Sequence, residues 1–205
     1  MAQVVAEKGY AEVSVADVVR AAGVSRATFY ELFADKEACF LYGFQKLSAA
    51  HQKTLQAELD RELPLPERLL AAITAYIKRI DVDRVLARAF IAEAEGATPR
   101  SRLAMLDAQG RLHLALRQWL QAVCAHHPEV AVRSDADVSL VMTGLIGHVM
   151  GKVRRDEGFS PADVQSVLRF VLAGLGLYGW ARHVELGMAA DRESIAHACP
   201  VSDGG

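Results

Sequence analysis

The sequence predicts an all-α protein of about nine helices, with a short-helix N-terminal unit carrying a helix-turn-helix pattern followed by a longer helical bundle. Three observations carry this. The six prolines, Pro64, Pro66, Pro99, Pro128, Pro161 and Pro200, fall where helices should start or stop. Sustained period-two alternation is absent, as are Asn-Gly or Asp-Gly pairs between β-branched runs. The chain of 205 residues contains no asparagine, and 52% of its residues are hydrophobic, enough to bury a core.

The expected helices span residues 2–8, 14–22, 25–33, 35–62, 66–80, 82–95, 100–125, 135–157 and 161–185. Composition narrows the class further. A net charge of -2 argues against a protein that coats nucleic acid non-specifically. The three cysteines, Cys39, Cys124 and Cys199, form no CxxC pair, and no secretory segment follows Met1, which predicts a cytoplasmic protein. The most apolar stretches, 138–151 and 164–180, are short for a bilayer span, and the second contains Arg169. No membrane partner is expected.

In 14–22, Ser14 is placed to cap the helix with Asp17 three residues on, as in a capping box, and Val15, Val18, Val19 and Ala22 form one apolar stripe. Gly23 suits the left-handed position that ends it. Ser25 caps the next helix, and Val24 has the spacing to staple onto Phe29. Phe29, Leu32 and Phe33 are expected inside, leaving Arg26, Ala27, Tyr30 and Glu31 outward with Thr28 at the flank. Asp35 caps the long helix after it, and Lys36 at its start is placed to meet a phosphate. Two helices joined by a glycine turn, the second presenting small, hydroxylated and basic side chains, have the geometry that enters a major groove.

These motifs occur in a fixed order: the EKGY end of the first helix, the AAGVS turn, the TFY of the second helix of the pair and the DKEACF start of the fourth. In that order they resemble the DNA-binding region of the TetR family, over about residues 6–40. The resemblance implies a helix-turn-helix DNA-binding domain over residues 1–46 and a ligand-binding and dimerisation domain over 47–205. It implies DNA contact by Ser14, Ser25, Arg26, Ala27, Thr28, Tyr30 and Lys36. The family's first helix is normally longer, often with a basic arm. The segment 1–46 has five basic residues (Lys8, Arg20, Arg26, Lys36, Lys46) against six acidic ones (Glu7, Glu12, Asp17, Glu31, Asp35, Glu37). Affinity would then lean on few phosphate contacts and on a dimer.

Past the fourth helix the assignments rest mainly on pattern. The last two helices are the expected dimer surface, through Val141, Leu145, Val167, Val171, Leu175 and Tyr178. Their glycines, Gly144, Gly147, Gly151, Gly174, Gly176 and Gly179, suit close helix packing. The GxGxxG string at 174–179 lacks the preceding strand that a dinucleotide site needs. Tyr76, Phe90, Met105, His113, Trp119, Met142 and His148 are candidates for an effector cavity, although each also suits a core. His126 and His127 cannot face one metal from one helix face, and no metal or other cofactor is expected. No nucleophile elbow, metal motif or carboxylate pair marks an enzyme.

The expected function is a ligand-responsive transcriptional regulator, a repressor that binds a near-palindromic double-stranded operator as a homodimer and is released by a small hydrophobic effector. The alternative is a small-molecule sensor of the same fold with weakened or lost DNA binding.

Overall fold

A computed structural model of the chain describes residues 1–82, 84–126 and 134–177. Every regular element among them is helical: α1 Ala2–Lys8, α2 Val15–Ala22, α3 Arg26–Leu32, α4 Lys36–Leu59, α5 Leu65–Val82, α6 Arg84–Leu86, a π-helical stretch Ala87–Ala92, α7 Ala94–Ala97, α8 Pro99–His126, α9 Asp135–Arg154 and α10 Pro161–Gly174. The all-α expectation is borne out. The predicted helix over 82–95 is interrupted: α6, the π-helical stretch and α7 follow one another there, in place of one regular α-helix.

Local capping sets the helix starts as the sequence indicates. Ser14 Oγ accepts from the Asp17 N–H while Asp17 accepts from the Ser14 N–H, closing the capping box on α2. Gly23 adopts φ 65°, ψ 30°, a left-handed conformation in which its own N–H reaches back to α2 carbonyls. Asp35 caps α4 through the Ala38 N–H at 2.7 Å. Ser160 and Asp163 form a second capping box, with Pro161 at the first position of α10.

The buried side chains form two large clusters and a small third. The first joins Val4, Val5, Tyr10, Val13, Val18, Phe29, Phe40 and Phe44 to Ala89, Phe90, Ala94 and Met105. The N-terminal helices therefore share a core with the π-helical stretch and with α8. The second fills the bundle of α5, α8, α9 and α10 and includes Leu59, Ile77, Trp119, Leu120, Val141, Val171 and Leu172. The third packs Ile80 and Ala87 against Val149 and Val153, with Ile91 at its edge. The π-helical stretch thus serves two cores at once: Ala89 and Phe90 belong to the first, Ala87 and Ile91 to the third. A wider helical turn redistributes which residues face each side, a common role of π-bulges at functional places.

Close helix packing at glycines is also realised. A Cβ at Gly144 would meet the Phe170 ring, 3.0 Å from Cε1, and one at Gly174 would overlap the Val141 side chain. α9 and α10 therefore approach through bare backbone at both points. No helix among the described residues is long and apolar enough to cross a membrane.

Candidate nucleic-acid interface and effector cavity

The helix pair α2 and α3 is anchored from inside by Phe29, which is buried and packs against Phe33 at a ring separation of 5.6 Å. That anchor turns the other side of α3 outward. Arg26, Ala27 and Tyr30 are exposed, with Tyr30 at 56% and its ring edge-on to Phe29. Thr28 is half-buried, its N–H donating to the Ser25 hydroxyl and its own hydroxyl 2.9 Å from it. The expectation for Leu32 needs correcting: it is 70% exposed, because α3 ends there and the chain turns extended at Phe33. Ala22 is also exposed, so the α2 stripe narrows to Val15, Val18 and Val19.

Charges around this surface are partly engaged by other groups of the same chain. Asp17 accepts from the Ser14 hydroxyl and from the Lys8 ammonium, and these bonds hold its carboxyl well below the usual carboxylate range. Arg20 reaches the same carboxylate at 3.5 Å. Lys36 turns back into the fold: its Nζ donates to the carbonyl oxygens of Tyr10, Ala11 and Val13 at 3.2, 3.2 and 2.8 Å. It also lies 4.7 Å from the Tyr10 ring centroid. An ammonium has three donors, so Lys36 is fully engaged in clamping the loop before α2. Arg26 forms no ion pair among the described residues.

Two further groups extend the outward row, and the sequence reading did not single them out. Tyr42 on α4 is half-exposed, its ring 5.6 Å from Phe33, and Lys46 one turn later lies 5.3 Å from the Tyr42 ring. Their i, i+4 spacing was the available signal.

A second candidate site lies between α4, α5, the π-helical stretch, α8 and α9. A cavity of about 80 Å³ is lined by Phe44, Met105, Leu112 and Met150 on its apolar walls and by Ser48, His51, Gln52, Tyr76 and Gln109 among its polar groups. Behind it, sharing Tyr76, Leu112 and Ile146, is a smaller cavity of about 40 Å³ walled by aliphatic residues such as Leu55, Leu69 and Val141. Burial, with the charge of Arg79, lowers the His51 pKa to about 4, and burial raises that of Tyr76 to about 12. The two rings stand edge-on at 5.8 Å. His51 Nε2 is buried without a hydrogen-bond partner.

The predicted cavity residues divide. Tyr76 and Met105 line the larger cavity and Met142 the smaller one. His113 and Met142 line an open groove of about 490 Å³ between α8 and α9. Phe90 and Trp119 are core: Phe90 packs on Phe40 at 5.4 Å, and Trp119 donates its Nε1 proton to the Leu59 carbonyl at 3.0 Å. His148 is exposed, not set among apolar neighbours. His51 was missed. The spacing of Phe44, Ser48, His51 and Leu55 along one face of α4 was the signal that could have found it.

The dimer candidates also need correcting. Val141, Val167, Val171 and Leu175 are all 5% exposed or less and belong to the protomer's own core, and Leu145 packs partly against it. Tyr178 lies outside the described residues. On these two helices the large apolar side chains that face outward are Leu140, 69% exposed, and Phe170, 47% exposed, beside Thr143 and Gly144.

Comparison with known proteins agrees with this geometry. Residues 2–42 match the family model of the bacterial regulatory proteins of the tetR family. The solved structure of the fatty acid degradation regulator FadR from Bacillus halodurans superposes with a TM-score of 0.74 at 22% identity, covering 85% of this chain and 91% of that one. The TetR family transcriptional regulator PfmR from Thermus thermophilus gives 0.64 at 19%, covering 85% and 90%. The ketosteroid transcriptional regulator KstR2 of Mycobacterium tuberculosis gives 0.59 at 23%, covering 85% and 89%. At these identities the likeness is one of fold. No curated protein matches the chain. The resemblance read from the N-terminal motifs is borne out, and the described chain has the fold of solved TetR-family regulators.

Proposed function

We propose that this chain, with its tetR-type N-terminal region, is a ligand-responsive transcriptional repressor that binds a near-palindromic operator as a homodimer. Residues 1–46 would contact DNA, and residues 47–205 would bind the effector and form the dimer. The observation that carries this is the outward row Arg26, Ala27 and Tyr30 on α3, held by a buried Phe29 and two serine caps. Small and basic side chains on the second helix of such a pair suit the major groove, with Ser14, Ser25 and Thr28 near the backbone. Tyr42 and Lys46 extend the same contact. Lys36 takes the role of a clamp that fixes the loop before α2, and through it the position of α2.

Effector release follows from shared elements. α4 carries Phe44, Ser48, His51 and Gln52 into the cavity and, less than one turn before Phe44, the outward Tyr42 of the proposed DNA contact. A ligand with different affinity for two positions of α4 would shift the spacing of the two α3 helices in a dimer. The dimer would form through the outward face of α9 and α10 at Leu140 and Phe170. No catalytic step is part of this function.

The reading is tested by an anisotropy titration of the full chain against the duplex upstream of its own gene, with scrambled competitor and varied salt. Saturable, competitor-resistant binding is expected. A second reading, a sensor of the same fold that has lost DNA binding, is favoured by the intramolecular contacts of Lys8 and Arg20 with Asp17 at the surface and of Lys36 with the loop carbonyls. Absence of selective binding at every salt concentration would establish it instead.

A further inference from the structure

The larger cavity is asymmetric. Ser48, His51 and Gln52 give it a polar side from one face of α4, to which α5 and α8 add Tyr76 and Gln109, and the aliphatic cavity begins behind Tyr76, Leu112 and Ile146. A buried polar atom without a partner costs stability unless something completes it, and His51 Nε2 is such an atom. It points to a ligand head that hydrogen-bonds. The aliphatic cavity can reward only apolar surface.

The charge of the head follows from its surroundings. The titratable groups at the cavity are His51, Tyr76 and Arg111, with the charge of Arg79 acting on His51. Burial keeps His51 neutral near pH 7, and a phenol such as Tyr76 is neutral there even at its ordinary pKa. Arg111, at the exposed rim, is already ion-paired with Asp107. Arg79 is exposed and off the lining, and the cavity wall carries neither an unpaired cation for a carboxylate nor an acidic residue for an ammonium, so a buried head of either charge would lose its hydration with no partner ion. A hydroxyl both donates and accepts, so it satisfies either tautomer of the imidazole.

Resting on the ligand-responsive reading above, we infer that the effector is a small uncharged amphiphile, a hydroxyl-bearing aliphatic chain with its head at His51 and its tail in the apolar cavity behind Tyr76. Its size follows from the space: at about 10–15 Å³ per water-sized position, cavities of about 80 and 40 Å³ hold on the order of nine non-hydrogen atoms. 1-Octanol is a probe of that size.

The test titrates the full chain by calorimetry with 1-octanol, octanoate and octylamine near pH 7.5, and with the linear alcohols from butanol upward. Octanol should bind at least about tenfold more tightly than either charged analogue, and affinity should rise about fourfold per methylene up to octanol. His51→Leu should weaken octanol about fivefold without lowering the melting temperature of the free protein, while His51→Gln, which keeps a hydrogen-bonding group, retains most of the affinity. Octanoate or octylamine binding as tightly as octanol overturns the uncharged head. Undiminished octanol binding by His51→Leu overturns its placement at His51. No saturable binding of any alcohol overturns the amphiphile. Operator binding measured on the same preparation separates these outcomes from failure of the regulator reading, since neither result depends on the other.

Discussion

The Phe90 ring lies against the bare backbone of Gly43, so close that a Cβ at Gly43 would stand 2.7 Å from Phe90 Cε1. This contact joins the π-helical stretch to the N-terminal third of α4, between the exposed Tyr42 and the cavity residue Phe44. Phe40 stands behind the ring at 5.4 Å and Phe90 is 4% exposed, so the ring has little room to withdraw. Gly43→Ala gains about 1 kcal/mol of helix propensity, yet should destabilise the protein by about 1–2 kcal/mol net through overpacking. Thermal unfolding checks the sign, and Phe90→Leu added to that variant should recover at least part of the loss.

Lys36 should matter to stability first. Replacing it by Met leaves the carbonyls of Tyr10, Ala11 and Val13 without their shared donor, a loss of about 2 kcal/mol for hydrogen bonds to a charged group. Denaturant unfolding measures this. The slope of log affinity for operator against log salt should stay unchanged. A slope reduced by about one would instead identify Lys36 as a phosphate contact.

Arg26 and Tyr30 should behave in the opposite way. Both are exposed, so Arg26→Ala and Tyr30→Ala should leave the melting temperature within about a degree or two, surface changes being small in effect. Operator affinity should fall about tenfold for each. Unchanged affinity in both variants would remove α3 from the interface.

His51 makes stability fall on acidification. Its folded pKa, about 4, lies below the unfolded value near 6.5, so between these pH values the unfolded chain binds a proton that the folded one does not. Stability contributed by the neutral imidazole is full above about pH 6.5 and declines as pH falls towards 4, by up to about 3 kcal/mol. In His51→Leu the unfolding free energy should be flatter across that window. Asp17 acts lower on the scale: its depressed carboxyl contributes stability that is full above the ordinary carboxylate pKa and is lost below it, as pH falls towards the depressed folded value, and Asp17→Asn should remove that part of the acid sensitivity.

Leu140 tests the dimer face. It is 69% exposed in the protomer, so Leu140→Glu should leave the fold intact while weakening self-association at least about tenfold. Light scattering across a concentration series reads the change. The corresponding change at Val171, which is buried, should instead unfold the protein.

What the sequence by itself determined are features decided within three or four residues. The Ser14–Asp17 and Ser160–Asp163 boxes, the left-handed Gly23, the caps at Ser25 and Asp35 and the burial of Phe29 were all legible, because each depends on spacing along one helix turn. Only the tertiary structure decided which faces look at other helices. Val141, Val167, Val171 and Leu175 read as a surplus apolar face for a partner, yet α5 and α8 cover them, and Leu140 and Phe170 are left outside. The Lys36 clamp spans 23 to 26 residues of sequence, and the break at Ala87–Ala92 serves two separate cores. Such choices are made by the summed burial of elements distant along the chain, which no single helix period encodes. The polar side of the cavity arises the same way: His51, half-buried on α4 with its Nε2 buried and unpaired, meets Tyr76 only when α5 packs against α4.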